Sequence, residues 1–197
     1  GLARIRDGRL EDMTVALGLV GDRVRAIHED PQGRLWFGTR DRGLVQLVDD
    51  RLVPFHQAGA FAGEYITQIE TALDGSRWVV GDQLAHITEG HVTRFDEQAG
   101  FVGSMPYMIL QDGSQLWIAT EDAGLVLLRD GQFTSFRKAC PEMMPCVYNV
   151  IGDELGYLWL SGQFGLQRVS RQDMLDVADG KRATLTLRSF DKRDGLA

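Results

Sequence analysis

No stretch of the sequence approaches the roughly 18 apolar residues that a membrane-spanning helix needs. The first residues, Gly1-Leu2-Ala3-Arg4, lack the apolar core of a secretory signal, and the chain does not begin with Met, so residues ahead of Gly1 are expected. No run of five like charges occurs, which excludes a polybasic anchor or an acidic tail. Basic residues number 21 against 28 acidic ones, and the net charge of −7 disfavours nonspecific nucleic-acid binding, which needs a basic patch. Proline is scarce: five residues against 23 glycines, a ratio that suggests many tight turns and an all-β chain. No Gly-x-Ser-x-Gly elbow, phosphate loop or dinucleotide fingerprint is present. What is present is apolar mass. Hydrophobic residues make up 44% of 197 residues, with nine Phe, four Tyr and four Trp, so the chain can bury a core of one domain or two.

The tryptophans form a comb. Trp36, Trp78, Trp117 and Trp159 are spaced by 42, 39 and 42 residues. Twelve residues before each stands Val24, Ile66, Met105 or Val147, and nine before stands Ile27, Ile69, Met108 or Val150. A second comb follows: Leu44, Leu84, Leu125 and Leu166 open an apolar run, and Asp49-Asp50, Glu89-Gly90 and Asp130-Gly131 read as hairpin turns. Phe55, Phe95 and Phe136 come eleven residues after their Leu.

Each unit predicts four short strands, in the first unit about 24–30, 34–40, 43–49 and 51–57. A four-stranded unit of this length is the size of a propeller blade, and neighbouring blades would bury the Trp and the Val/Ile pair between them. The predicted organisation is one partial β-propeller over 1–197: a half blade at 1–16, full blades at 17–58, 59–98, 99–138 and 139–191, and an approach to a further blade at 192–197. From Leu166 to Phe190 there are 13 more residues than elsewhere; residues 172–180 predict a short helix closed by Gly180, with Met174, Leu175 and Val177 packing down locally. Four and a half blades leave a ring open, so further blades or another protomer are the expected partners.

The string Val24-Arg25-Ala26-Ile27-His28-Glu29-Asp30-Pro31-Gln32-Gly33-Arg34-Leu35-Trp36-Phe37-Gly38-Thr39, followed by Gly43-Leu44, resembles the two-component regulator propeller repeat. That repeat occurs in extracytoplasmic sensor regions of bacterial histidine kinases, hybrid two-component systems and some diguanylate cyclases. The resemblance extends over essentially the whole chain; the second unit departs at Gln83-Leu84, where the glycine is missing, and the third at Ala119. It implies a large periplasmic sensor, often two seven-bladed propellers in series, followed by a small β-sandwich, a membrane helix and a cytoplasmic signalling domain. Ligands of the family are frequently glycans or their fragments. The repeated residues are scaffold and fix no ligand position.

Candidate ligand residues therefore lie off the comb. Of the aromatics, Phe61, Tyr65, Phe101, Tyr107, Tyr148 and Phe164 fall in or beside connections between blades or between strands. The loops between second and third strands carry Arg40, Asp41, Arg42, Asp82, Gln83, Glu121, Asp122, Gln163 and Phe164, which in a propeller meet on the face that carries the blade-to-blade loops. A solvated rim is the plain alternative. The four histidines, His28, His56, His86 and His91, lack metal-ligand spacing, and His28 is expected as a hydrogen-bonded core residue. Cys140 and Cys146, enclosing Pro141-Glu142-Met143-Met144-Pro145, are expected to form a local disulfide in an oxidising compartment, with two free thiols as the alternative.

The expected function is a non-catalytic, ligand-binding sensor module of a periplasmic receptor, taking a small molecule or glycan, with no cofactor, metal or nucleic acid. Contact with the membrane would come only through segments outside these residues. Two other classes remain: a propeller lyase of the streptogramin-lyase type, and a structural or partner-binding propeller.

Overall fold

A computed structural model describes residues 1–19, 23–55 and 60–195; His56, Leu196 and Ala197, which figured in the sequence reading, lie outside the described residues. The chain divides into two compact units, Gly1–Arg94 and Phe95–Ala197. The first begins with a two-stranded half blade, β1 (Ala3–Arg6) and β2 (Arg9–Asp12). The first full blade is β3 (Val24–Glu29), β4 (Leu35–Thr39), β5 (Leu44–Val48) and β6 (Arg51–Pro54). The second is β7 (Ile66–Thr71), β8 (Arg77–Gly81), β9 (Leu84–Thr88) and β10 (His91–Phe95). In the second unit, the third blade is β11 (Pro106–Asp112), β12 (Gln115–Thr120), β13 (Leu125–Arg129) and β14 (Gln132–Ser135). The fourth is β15 (Val147–Gly152), β16 (Tyr157–Gly162), β17 (Gly165–Ser170) and β18 (Leu187–Phe190). Every full blade is a four-stranded antiparallel sheet with its strands paired in chain order, the β-propeller blade that the two combs predict.

The turns explain the regularity. At Asp7-Gly8, Asp49-Asp50, Glu89-Gly90 and Asp130-Gly131 both turn residues have positive φ, between 49° and 84°. Two successive left-handed residues make the turn whose twist matches a two-residue hairpin. In the fourth blade this turn is replaced by α1 (Arg171–Ala178), capped at its start by the Ser170 side chain, which accepts from the Asp173 N–H at 3.2 Å. Met174 is fully buried, with Leu175 and Val177 packed beside it, as the insertion's apolar residues predicted.

Three details differ from the expected comb. First, the turn between β11 and β12 is one residue shorter than its counterparts, because Gln111 pairs with Leu116 where Gly152 pairs with Leu158. The inward positions of the third blade are consequently Pro106 and Ile109, both buried, and not Met105 and Met108. Second, Ile27 is 60% exposed although its counterparts Ile69 and Val150 are buried. Ile69 joins a core with Trp36 and Ala26 of the first blade, and Val150 joins one with Trp117 of the third. Ile27 and its cross-strand neighbour Phe37 lie on the face of their blade opposite Trp36, and only Phe37 is covered. Third, Trp36 and Trp117 are buried but Trp78 and Trp159 are only half-buried. Trp78 stacks on His86 with ring centroids 4.1 Å apart, and Trp159 stacks on Phe190 at 5.4 Å.

One repeated interaction was not singled out in the sequence. Asp30 accepts the Trp36 indole N–H at 2.9 Å, Asp153 that of Trp159 at 2.7 Å, and Asp112 that of Trp117 at 3.5 Å. The second blade has Ala72 at this position. His28 contacts Thr71 through Nε2 at 2.6 Å, in line with a hydrogen-bonded histidine.

Candidate ligand-binding face

The first strand of every full blade carries a β-bulge near its start. The register shifts between Val24 and Ala26, Ile66 and Gln68, Pro106 and Met108, and Val147 and Asn149. The residues skipped are Arg25, Thr67, Tyr107 and Tyr148. A bulge frees one side chain from the alternation of the strand and re-aims it, which is why bulges recur beside binding sites.

The turn after each second strand is tied to the start of the first strand. The backbone N–H groups of Arg40, Asp82, Glu121 and Gln163 donate to the carbonyls of Arg23, Tyr65, Ser104 and Cys146 at 2.9–3.4 Å. The expected loop face therefore exists within each unit: the second turn and the approach to the first strand share one end of the sheet. The contact is close enough that a Cβ at Gly81 would overlap the Tyr65 carbonyl and one at Gly162 the Cys146 carbonyl, so glycine is required at both.

In the second unit this face gathers Tyr107, Tyr148 and Glu121. The two rings meet edge to face at 5.5 Å, and the Tyr107 hydroxyl donates to Glu121 Oε1 at 3.4 Å. Burial, reinforced by the Glu121 carboxylate, pushes the Tyr107 hydroxyl up to about 12. The Tyr148 hydroxyl is raised chiefly by its hydrogen bond to the Cys146 thiol, and its side chain remains half exposed. Gln163 and the 70% exposed Phe164 form the two-residue turn between β16 and β17, at the same end of that blade. Asp122 has a scaffold role, accepting the Ser104 N–H at 2.7 Å. It also lines an open groove of about 560 Å³ with Val102, Ala123, Ser135, Arg137 and Lys138. Arg137 is anchored to the Met143 carbonyl.

In the first unit, Arg40, Asp41 and Arg42 are exposed, and Arg42 donates to the Gly18 carbonyl at 2.7 Å. Tyr65 lies beneath the Arg25 guanidinium at 5.8 Å. Asp82 accepts the Tyr65 N–H at 3.0 Å and so repeats the scaffold role of Asp122. Gln83 accepts from Arg94 at 2.7 Å. Two of the off-comb aromatics are core residues: Phe61 is 1% exposed and Phe101 5%. Arg25, Arg137 and Lys138 were missed, and Cys146 was read only as half of a disulfide. The bulge at Arg25 leaves no mark in the sequence except its alignment with Tyr107 and Tyr148 once the shorter third turn is allowed for.

The expected disulfide is corrected by the structure. Cys140 and Cys146 are both free and buried. Their thiols face different neighbours: Cys140 Sγ lies 3.6 Å from Glu142, and Cys146 bonds the Tyr148 hydroxyl. Burial raises the Cys140 thiol above its usual range. Among the described residues no group of His, Cys, Asp and Glu could hold a metal ion, and no helix is long and apolar enough to cross a membrane.

Residues 18–41 match the family described as two component regulator propeller. Comparison with curated protein sequences gives no match. Solved structures share the fold. The extracellular domain of one hybrid two component system from B. thetaiotaomicron superposes with a TM-score of 0.70 at 18% identity, over 85% of this chain and 24% of its own. A second, from the same organism, gives 0.65 at 17% identity over 86% of this chain and 24% of its own. Virginiamycin B lyase from Staphylococcus aureus gives 0.68 at 18% identity, over 96% of this chain and 62% of its own. The chain thus spans about a quarter of the length of the two extracellular domains. The blade architecture and the solved structures give the chain a β-propeller fold, and its residues 18–41 match the two-component regulator propeller family.

Proposed function

We propose that this chain is a ligand-binding sensor module of a bacterial signal-transduction receptor, extracytoplasmic and itself non-catalytic. One observation carries the reading: adjacent blades use equivalent bulges to bring Tyr107 and Tyr148 together beside Glu121 on the loop face. Two aromatic edges with a carboxylate acceptor suit a polyhydroxylated ligand, whose C–H faces pack on rings while its hydroxyls donate to the carboxylate. A small glycan is the ligand class that fits. Binding would bias the packing of the sensor against its neighbours and so shift a pre-existing equilibrium of the receptor.

The test is calorimetric titration of the protein with a panel of neutral and acidic oligosaccharides, with product analysis of each mixture. Saturable binding without turnover, abolished by Tyr107→Ala, supports the reading. Turnover of any ligand would replace it with an enzyme, for which the lyase-like fold gives the first substrates to try. Binding that survives Tyr107→Ala and Tyr148→Ala would move the site elsewhere.

A further inference from the structure

The open groove of about 560 Å³ in the second unit is built from three segments of opposite charge. Val102 and Gly103 line it from the connection into β11, Asp122 and Ala123 from the turn after β12, and Arg137 and Lys138 from the connection that leaves β14. The first two segments are packed together: Gly103 has a φ of 116°, and a Cβ there would stand 2.9 Å from the Ala123 Cβ. The volume falls in the range of about 300–1,000 Å³ that small-molecule sites occupy.

The cationic side is held in place. Arg137 Nη1 donates to the Met143 carbonyl. Gln167, a buried side chain, grips that connection on both flanks: it accepts the Met144 N–H at 2.9 Å and donates to the Glu142 carbonyl at 2.9 Å. The Pro145 carbonyl accepts the Gly124 N–H at 2.6 Å, which ties the connection to the turn after β12. A guanidinium offers five N–H donors in a planar fork, so Arg137 presents its remaining donors from a fixed position. Neither Arg137 nor Lys138 lies within ion-pair distance of a carboxylate among the described residues.

Two cations against one carboxylate make the groove a positive spot on a chain of net charge −7. Asp122 accepts the Ser104 N–H through Oδ1 and keeps its second oxygen for a hydroxyl donor. Glu121, its neighbour in the turn, accepts the Tyr107 hydroxyl, so the groove and the tyrosine cluster adjoin through residues 121 and 122. Those two carboxylates repel an acid group from the shared turn, and Arg137 and Lys138 attract one to the far side. The fork of Arg137 matches a planar carboxylate, with Lys138 as a second, unoriented charge.

We propose that the groove is the acid-binding part of the ligand site: a uronic acid places its carboxylate on Arg137 and Lys138 and its hydroxyls on Asp122, while the adjoining sugar packs on Tyr107 and Tyr148. This assignment rests on the glycan reading and narrows it from saccharides at large to acidic ones. It also orients the ligand, because only one side of the turn accepts the charged sugar.

Calorimetric titration of the protein with di- and trisaccharides of galacturonic, glucuronic and mannuronic acid, each beside its methyl ester, tests the assignment. The ester keeps every ring hydroxyl and removes only the charge. At least one acid should bind about tenfold more tightly than its ester, and the margin should shrink as salt is raised. Lys138 is exposed and carries no contact that the fold depends on, so Lys138→Gln should leave Tm unchanged. It should weaken the acid about two- to fivefold and leave the ester as it was. Arg137→Lys keeps the charge and loses the fork, and should also weaken the acid selectively. Equal binding of acid and ester, or a neutral oligosaccharide that binds best, overturns the acid groove and leaves the glycan reading standing. Selectivity for the acid that survives both substitutions places the charge elsewhere and overturns it too. A sulfated oligosaccharide bound more tightly than every uronate overturns the carboxylate. Failure of every saccharide, neutral and acidic, to bind overturns the glycan reading itself.

Discussion

The Trp36 indole donates its hydrogen to Asp30 at 2.9 Å, and the acceptor carboxylate is wholly shielded from solvent. Asp30 also accepts the backbone N–H groups of Gln32 and Arg34 and an ion pair from the Arg34 side chain at 2.7 Å. One side chain thus closes the turn between β3 and β4 and fixes the ring that fills the blade. Burial alone would raise this carboxyl; the Trp36 and Arg34 bonds outweigh it and bring it down to about 2.

Asp30→Ala should therefore cost about 3 kcal/mol, since several buried donors lose their acceptor together. Chemical denaturation checks this. The depressed carboxyl also fixes a pH dependence. Its stabilisation is fully present above the unfolded-state value near 4 and is lost as pH falls towards about 2. Asp30→Asn should flatten the acid limb of a stability–pH curve, and an unchanged limb would assign acid lability to other carboxylates.

Tyr107 makes the opposite prediction at high pH. A hydroxyl held at about 12 stays protonated in the folded protein after exposed tyrosines have ionised. Stability should then fall as pH rises from about 10, the unfolded value, towards about 12. Ultraviolet titration should show a late-ionising tyrosine, and Glu121→Gln should bring its midpoint down. If all four tyrosines ionise together, the Tyr107–Glu121 contact does not persist in solution.

The cysteines should behave as buried thiols. A thiol reagent should label neither Cys140 nor Cys146 in the native protein on the timescale at which both react in denaturant. Absence of titratable thiol after denaturation without reductant would restore the disulfide.

Ile27 and Ile69 occupy the same repeat position under different cover. Ile69→Ala should cost about 2–4 kcal/mol and Ile27→Ala less than about 1 kcal/mol, because only the first empties a packed site. Equal losses would show that Ile27 is covered in solution.

The blade architecture was legible because it is written in residues that the backbone obliges. Asp-Gly and Asp-Asp tolerate the paired positive φ angles of the outer hairpin, and Trp at a fixed interval marks the second strand. The helix at 171–178 was legible from an interval 13 residues too long. The third blade's inward positions were not, because counting back from Trp117 crosses a turn one residue shorter than the others, which displaces Ile109 onto Met108. Of the candidate residues, Tyr107, Glu121 and Tyr148 were brought together, while Asp82 and Asp122 are spent on backbone N–H groups. Composition cannot separate these cases: an aspartate in a polar loop looks the same whether it faces a ligand or closes its own turn. The thiols were misassigned for a related reason, since six residues of separation says nothing about where two side chains point.

The tie between each second turn and its own first strand has an evolutionary consequence. It uses backbone atoms, so it survives any exchange of the side chains displayed above it. Arg25, Thr67, Tyr107 and Tyr148 occupy one geometric station with three chemistries on a common frame. Such a frame lets specificity drift blade by blade, with the hydrogen-bond ladder beneath held constant, and the chemical breadth of a recognition surface then grows with the number of stations without any new fold.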